Sequence, residues 1–194
     1  MTNVARQPRK LTVDKFLAFY ETRPDEEQWQ LVDGTAILMT PPFLMHQRLA
    51  SNLQSLLNDA LAIHAPHLRA EQRIGIELMP QFPFYRPEPD VAVIDVKFPP
   101  GRRYVDRFYL VAEVLSDSDD ERIDLKREFY RAHEHNQAIL LVSQDKQELE
   151  IQIRRDRAWV TDVLSGPDRT LSLPDFGLTC RVEDVYRDTP FSTA

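Results

Sequence analysis

The stretch from Arg86 to Tyr130 constrains this chain more than any other. It holds two apolar runs, Val91-Ala92-Val93-Ile94 and Phe108-Tyr109-Leu110-Val111-Ala112, and the second continues through Glu113 into Val114-Leu115. Residues 108–115 contain no Gly or Pro and are rich in β-branched and aromatic side chains, the pattern of a central strand covered on both faces. Strand alternation puts Glu113 on the face of Val111 and Leu115. A carboxylate there loses its water, and without a partner it would cost several kcal/mol. It therefore requires a cation, either a basic side chain or a metal. Asp90 follows Pro87 and Pro89, which favour extended backbone and suit the entry to a strand. If 90–95 and 108–115 are neighbouring strands, as consecutive strands usually are, the two acids converge at the sheet.

A helix is marked next. Ser118 followed three residues later by Glu121 fits a capping box, and Asp119 and Asp120 suit the positive end of a helix dipole. Ile123, Leu125, Phe129, Tyr130 and Ala132 form one apolar arc on a 3.6-residue repeat, and Lys126 and His133 fall inside that arc. A lysine facing the core calls for an anion. Two readings fit these residues. In one, Asp90, Glu113 and Lys126 make an inert buried salt-bridge cluster, or Lys126 snorkels to an edge. In the other, two carboxylates hold a hard divalent cation, and the lysine steadies a negatively charged reacting group.

Pro89-Asp90, then Glu113-Val114-Leu115-Ser116, then Lys126 with Tyr130 four residues on, resemble the Uma2 family of proposed restriction endonucleases, within the PD-(D/E)XK nuclease superfamily. The resemblance extends over most of the chain. Trp29-Gln30-Leu31-Val32-Asp33-Gly34 and Met39-Thr40-Pro41-Pro42 are similar to the family's opening hairpin. His46, opening Gln47-Arg48-Leu49-Ala50-Ser51-Asn52-Leu53, resembles its first core helix, and Ala138-Ile139-Leu140-Leu141-Val142-Ser143-Gln144-Asp145 the strand after the lysine helix. The resemblance implies an α/β, restriction-endonuclease-like fold and a Mg²⁺- or Mn²⁺-dependent endonuclease acting on DNA. It also implies Asp90 and Glu113 as metal ligands, Lys126 as the catalytic lysine, and a homodimer. His46, Gln30 and Tyr130 are accessory candidates. In the wider superfamily the lysine usually stands two residues past the Glu; here that position is Leu115, and the lysine has moved to the helix. Gln30 stands where the family typically carries Glu, and Arg122 where it carries Asp four residues before the lysine. Gln30 keeps open a second function class, a nuclease fold without catalysis that binds nucleic acid or regulates. A third is a metal-free structural or interaction protein.

Composition narrows the field. A chain of 194 residues with 42% hydrophobic residues is long enough for one good core and short for two. No apolar run approaches the ~18 residues needed to cross a bilayer, and no signal-peptide core opens the chain, so a cytoplasmic protein without membrane contact is expected. The single Cys180 can form no intrachain disulfide and reads as a small buried hydrophobe. The five histidines lack zinc spacing, and no glycine-rich phosphate loop occurs. A net charge of −7 argues against a generic nucleic-acid coat. One local basic patch exists: Lys97, Arg102, Arg103 and Arg107 in the connection between the two acid-bearing strands. It is expected near the site as a DNA contact, with a solvated hairpin tip as the alternative reading.

Residues 1–10 are expected to be disordered and 11–190 to form one endonuclease-like domain. A short amphipathic helix is expected over 11–20, a hairpin over 28–40 turning at Asp33-Gly34, and a long core helix over 43–64. A strand over 69–79 is expected to enter the central sheet. A buried strand follows over 137–143, then a hairpin of 148–154 and 157–164 turning near Arg155-Asp156. Trp29 and Trp159 read as packing residues.

Overall fold

The computed structural model describes residues 10–102, 104–115 and 120–192. Arg103, the capping pair's Ser118, and nearly all of the N-terminal segment 1–10 lie outside the described residues. A six-stranded mixed sheet runs through the centre in the order β10-β9-β8-β7-β5-β3. Its strands are β3 (Leu68–Glu71), β5 (Val91–Asp95), β7 (Leu110–Leu115), β8 (Ala138–Ser143), β9 (Glu148–Arg155) and β10 (Ala158–Ser165). Within this sheet only β7 and β8 pair in parallel; the helix α3 (Asp120–Ala132) makes the crossover that a parallel pair demands.

The sheet is covered on both sides, which explains why its central strands read as unbroken apolar runs. The helix α2 (Leu44–His64) packs Leu49, Leu53, Leu57 and Leu61 on one face, against Val91, Val93, Leu110, Ala112 and Val114. The chain end closes that side with β11 (Thr170–Leu173), β12 (Leu178–Arg181) and the short helix α4 (Val182–Val185). On the other face α3 sets Ile123, Phe129 and Tyr130 against Ala92, Val111, Ile139 and Leu141. Glu113 shares the face of Val111, as strand alternation requires, and so lies under α3. Ala132, expected in the apolar arc, is exposed because it ends the helix beyond the sheet's cover.

A separate hairpin, β1 (Gln28–Val32) and β2 (Thr35–Met39), turns at Asp33 and Gly34, whose φ angles of 47° and 76° suit a tight hairpin turn. It is fastened to the segment leading into β5. Leu31 and Arg86 exchange both backbone hydrogen bonds, at 3.0 and 2.7 Å, and Gly34 N donates to Phe84 O at 2.8 Å. The Arg86 guanidinium is buried and lies 4.0 Å from the Tyr104 ring centroid. Helix α1 (Val13–Tyr20) backs the hairpin through Val13 and Phe16. Trp29 packs edge-on against Phe19, and Trp159 lies under the Arg154 guanidinium, both packing roles.

The expected strand over 69–79 is broken in two. β3 ends at Glu71, and after Arg73, whose φ is +52°, the short β4 (Gly75–Ile76) leaves the main sheet to pair in parallel with β6 (Tyr104–Val105). A left-handed residue cannot continue a ladder. The last hairpin turns one residue later than expected, at Asp156 and Arg157, both at positive φ. No helix among the described residues is long and apolar enough to cross a membrane.

Candidate active site

Register places the two acids together. Val91 pairs with Ala112 across the antiparallel β5–β7 ladder, so Asp90, one residue earlier, stands opposite Glu113 as that register continues. Asp90 closes over the end of β7: its Oδ2 accepts from Val114 N at 2.7 Å. Its Oδ1 lies 2.8 Å from Nε2 of His46, which comes from the first turn of α2.

Glu113 is met from above. Lys126 and Tyr130, one helical turn apart on α3, share a face of the helix. Both donate to the same carboxylate oxygen, Oε1: Lys126 Nζ at 3.0 Å and the Tyr130 hydroxyl at 2.6 Å. All three side chains are buried; Lys126 is 8% exposed. Burial raises the Glu113 carboxyl above its ordinary range, against the downward pull of the Lys126 charge; neighbouring Asp90 raises it further. Burial, and then the charge of Glu113, push the Tyr130 phenol well above its usual value, so it remains a proton donor to the carboxylate. The buried salt bridge of the first reading therefore exists as geometry, between Glu113 and Lys126.

These residues floor a pocket of about 440 Å³. Glu88, Asp90 and Glu113 line it together with Arg73, Arg122 and Lys126, and Gln30, His46 and residues 37–43 complete its wall. Such a mixture of convergent charges in one concave site, with a carboxyl displaced from its normal range, is the mark of a functional pocket more than of a packing accident.

The family comparison settles what the chain is related to. The Uma2 family model, described as "Putative restriction endonuclease", matches residues 13–183. The chain belongs to the Uma2 family. Among solved structures it is similar to one titled a putative nuclease belonging to DUF820 from Anabaena variabilis, at 19% identity and a TM-score of 0.73. That match covers 91% of this chain and 97% of the other, and it shows the restriction-endonuclease-like fold. No curated protein matches the chain.

For a Uma2 chain the residues can be sorted by where they fall. Asp90, Glu113, Lys126, His46 and Gln30 all line the pocket, and Tyr130 lies beneath it, bonded to Glu113. Gln30 presents an amide to the pocket, and its Oε1 accepts from Glu88 N at 3.5 Å. Arg122 also lines the pocket and adds a cation to the site. Of the basic connection, Lys97, Arg102 and Arg107 do not converge on it. Residues 97–107 join the end of β5 to the start of β7, whereas Asp90 precedes β5 and Glu113 lies near the end of β7. An antiparallel pair puts those two ends at opposite edges of the sheet. Lys97 and Arg107 are exposed there, and Arg102 pairs with Asp106 at 2.9 Å.

Two pocket residues escaped the sequence reading. Glu88, between two prolines, looks like a surface acid, yet it is mostly buried. Desolvation raises its carboxyl while Arg86, Arg73 and Lys126 pull it down. Arg73 falls in the stretch expected to be one strand, because nothing in an arginine announces a left-handed backbone.

The donor set fits one kind of metal. Among the described residues no group of three or more His, Cys, Asp or Glu is arranged to hold an ion. What the pocket offers is an adjacent carboxylate pair, and among the described residues both side-chain hydrogen bonds to Glu113 fall on Oε1, not on Oε2. Two carboxylates facing an open pocket suit Mg²⁺, which keeps several of its waters; they do not suit zinc, which prefers a closed nitrogen and sulfur shell.

Proposed function

We propose that this protein is a metal-dependent endonuclease that hydrolyses phosphodiester bonds of DNA at the pocket floored by Asp90 and Glu113. The observation that supports it best is the buried triad at Glu113. A carboxylate that costs so much to bury is held by Lys126 and Tyr130 through one oxygen, next to a second carboxylate, at the floor of an open pocket. A purely structural ion pair gains nothing from opening onto a cavity flanked by further arginines.

In this reading Asp90 and Glu113 hold Mg²⁺ or Mn²⁺. Bound there, the ion supplies Lewis-acid polarisation of the phosphoryl group and a water of lowered pKa. The remaining roles belong to the chain. The Val114 amide and His46 orient the Asp90 carboxylate. Tyr130 fixes the Glu113 oxygen that it shares with Lys126 and leaves the other to the ligand. Lys126 brings its amino group to the floor, placed to position the attacking water or to offset charge developing on the phosphate. Arg122 lines the same pocket and adds attraction for the anionic diester. Lys97, Arg102 and Arg107 sit beyond the opposite end of the β5–β7 pair, where they can serve only remoter phosphates of a long substrate.

The test is cleavage of plasmid DNA with Mg²⁺, Mn²⁺ or a chelator, by the wild type and by Asp90→Asn and Glu113→Gln, with calorimetric titration of Mn²⁺ into each. Wild-type cleavage that the chelator stops, with both variants folded but inactive and unable to bind Mn²⁺, is expected. Unchanged Mn²⁺ binding in either variant removes that residue from the metal site, and chelator-resistant cleavage rejects the mechanism.

A further inference from the structure

The pocket continues past the carboxylates. A second cavity, of about 650 Å³, shares with the first the segment Met39-Thr40-Pro41-Pro42 and the side chains of His46, Arg73 and Asp90. The two are lobes of one groove that meet at Asp90. Beyond the junction the lining is mainly uncharged and polar, with Gln28, Gln47, Ser51 and Gln72, and carries one acid, Glu26. A groove that extends on both sides of a reaction centre suits a substrate longer than the bond it breaks.

Arg73 marks the junction. It is exposed, it lines both lobes, and its charge reaches Glu88, yet no carboxylate among the described residues forms a salt bridge with it. Its φ of +52° is a conformation that costs an arginine energy and a glycine none. An uncommitted guanidinium kept at a strained position is what phosphate recognition calls for, since it offers a planar fork of donors to an anion. At the first lobe's rim Phe43 is 81% exposed and Leu38 is 45% exposed, both lining the cavity. An aromatic face left in water beside cationic groups suits a nucleobase, which stacks whatever its identity.

We propose that the groove takes a single polynucleotide strand across both lobes, with Arg73 gripping the phosphate beside the scissile one and Phe43 stacking a base in the first lobe. The proposal rests on the nuclease reading for which phosphate is scissile, but its binding claim stands separately. Each lobe, at about 440 and 650 Å³, is of a size that admits a nucleotide or two.

Labelled single-stranded and duplex oligonucleotides of the same sequence, short and long, test it by fluorescence anisotropy in Ca²⁺, alongside steady-state cleavage in Mg²⁺. The wild type is expected to bind the single strand more tightly than the duplex and to gain affinity with length. Arg73→Gly should weaken single-strand binding about tenfold and flatten the salt dependence by roughly one counterion. It should raise KM more than it lowers kcat. Arg73→Lys should recover part of the loss. Phe43→Ala should weaken binding by about tenfold as well. Because glycine relieves the strained φ, Arg73→Gly should melt no lower than the wild type; a lower melting temperature makes the arginine structural and overturns the proposal. So does equal affinity for duplex and single strand, or wild-type binding by both variants. Arg73-dependent strand binding without cleavage supports the groove and rejects the nuclease mechanism; cleavage with no effect of Arg73 or Phe43 does the reverse.

Discussion

Glu113 carries two donors on one oxygen, and the two are not equivalent. Tyr130 supplies a hydrogen bond that survives any change of charge, while Lys126 supplies the only positive charge bonded to this buried acid among the described residues. Methionine matches lysine in length, so Lys126→Met deletes the cation and keeps the packing. Without metal the variant is expected to lose ~3–5 kcal/mol, the usual cost of stranding one partner of a buried pair. The sign with pH follows from the carboxyl, already raised by burial and raised further without its lysine. The stability of an acid with a raised folded pKa is complete at low pH and drains away as pH rises through that pKa. The loss in Lys126→Met should therefore be small in acid, grow toward neutral pH, and shrink when Mg²⁺ is added. Cleavage should fall by about two orders of magnitude or more. Thermal melts across pH with and without Mg²⁺, beside a plasmid assay, measure both; wild-type-like cleavage removes the lysine from the chemistry. These residues were legible because each breaks a rule: an acid inside an apolar run, an acid at a strand entry, a lysine in an apolar arc. Glu88 and Arg73 break no rule that sequence displays. Burial of one and the left-handed backbone of the other are products of tertiary packing.

At the scale of elements, α3 does two jobs along its length. Its middle delivers Lys126 and Tyr130 to Glu113, and just past its end His133 stacks on Phe108 at 4.3 Å with Nε2 3.1 Å from Asp106 O. Burial lowers the His133 pKa below 6.5; the Asp106 carbonyl opposes this, His135 and Arg154 add to it, and Glu134 pulls it back. A depressed histidine contributes stability that is complete above its unfolded pKa and is lost as pH falls through the folded one. His133→Asn can still donate to the Asp106 carbonyl but does not titrate. Between pH 6.5 and the lowered value it should lose stability less steeply than the wild type, by at most ~1.4 kcal/mol per pH unit. Urea melts at stepped pH check this; parallel slopes reject it. Element boundaries were legible where turn chemistry is explicit, as at Asp33-Gly34. They were not where a non-glycine residue takes positive φ, as at Arg73, which splits the expected strand, and at Arg157, which shifts the last turn.

Across the whole molecule, the site occupies one edge of the sheet and the connection 97–107 the other. The five residues of β5 separate them by roughly 16 Å, at ~3.3 Å per residue, about twice the Debye length of ~8 Å at physiological salt. The sequence placed that connection beside the site because it joins the two acid-bearing strands, but joining antiparallel strands is what sends it to the far edge. A further property follows for anyone who wishes to cut the chain. Gly101 sits in this exposed connection with nothing within 4 Å of where a Cβ would be, so a break there disturbs little. The N-terminal piece would carry His46 and Asp90, and the C-terminal piece Glu113, Lys126 and Tyr130, with the β5–β7 ladder as their common seam. Each piece alone should leave plasmid DNA intact and the mixture should cleave it, which makes the protein a candidate for fragment complementation, a nuclease switched on by bringing two polypeptides together.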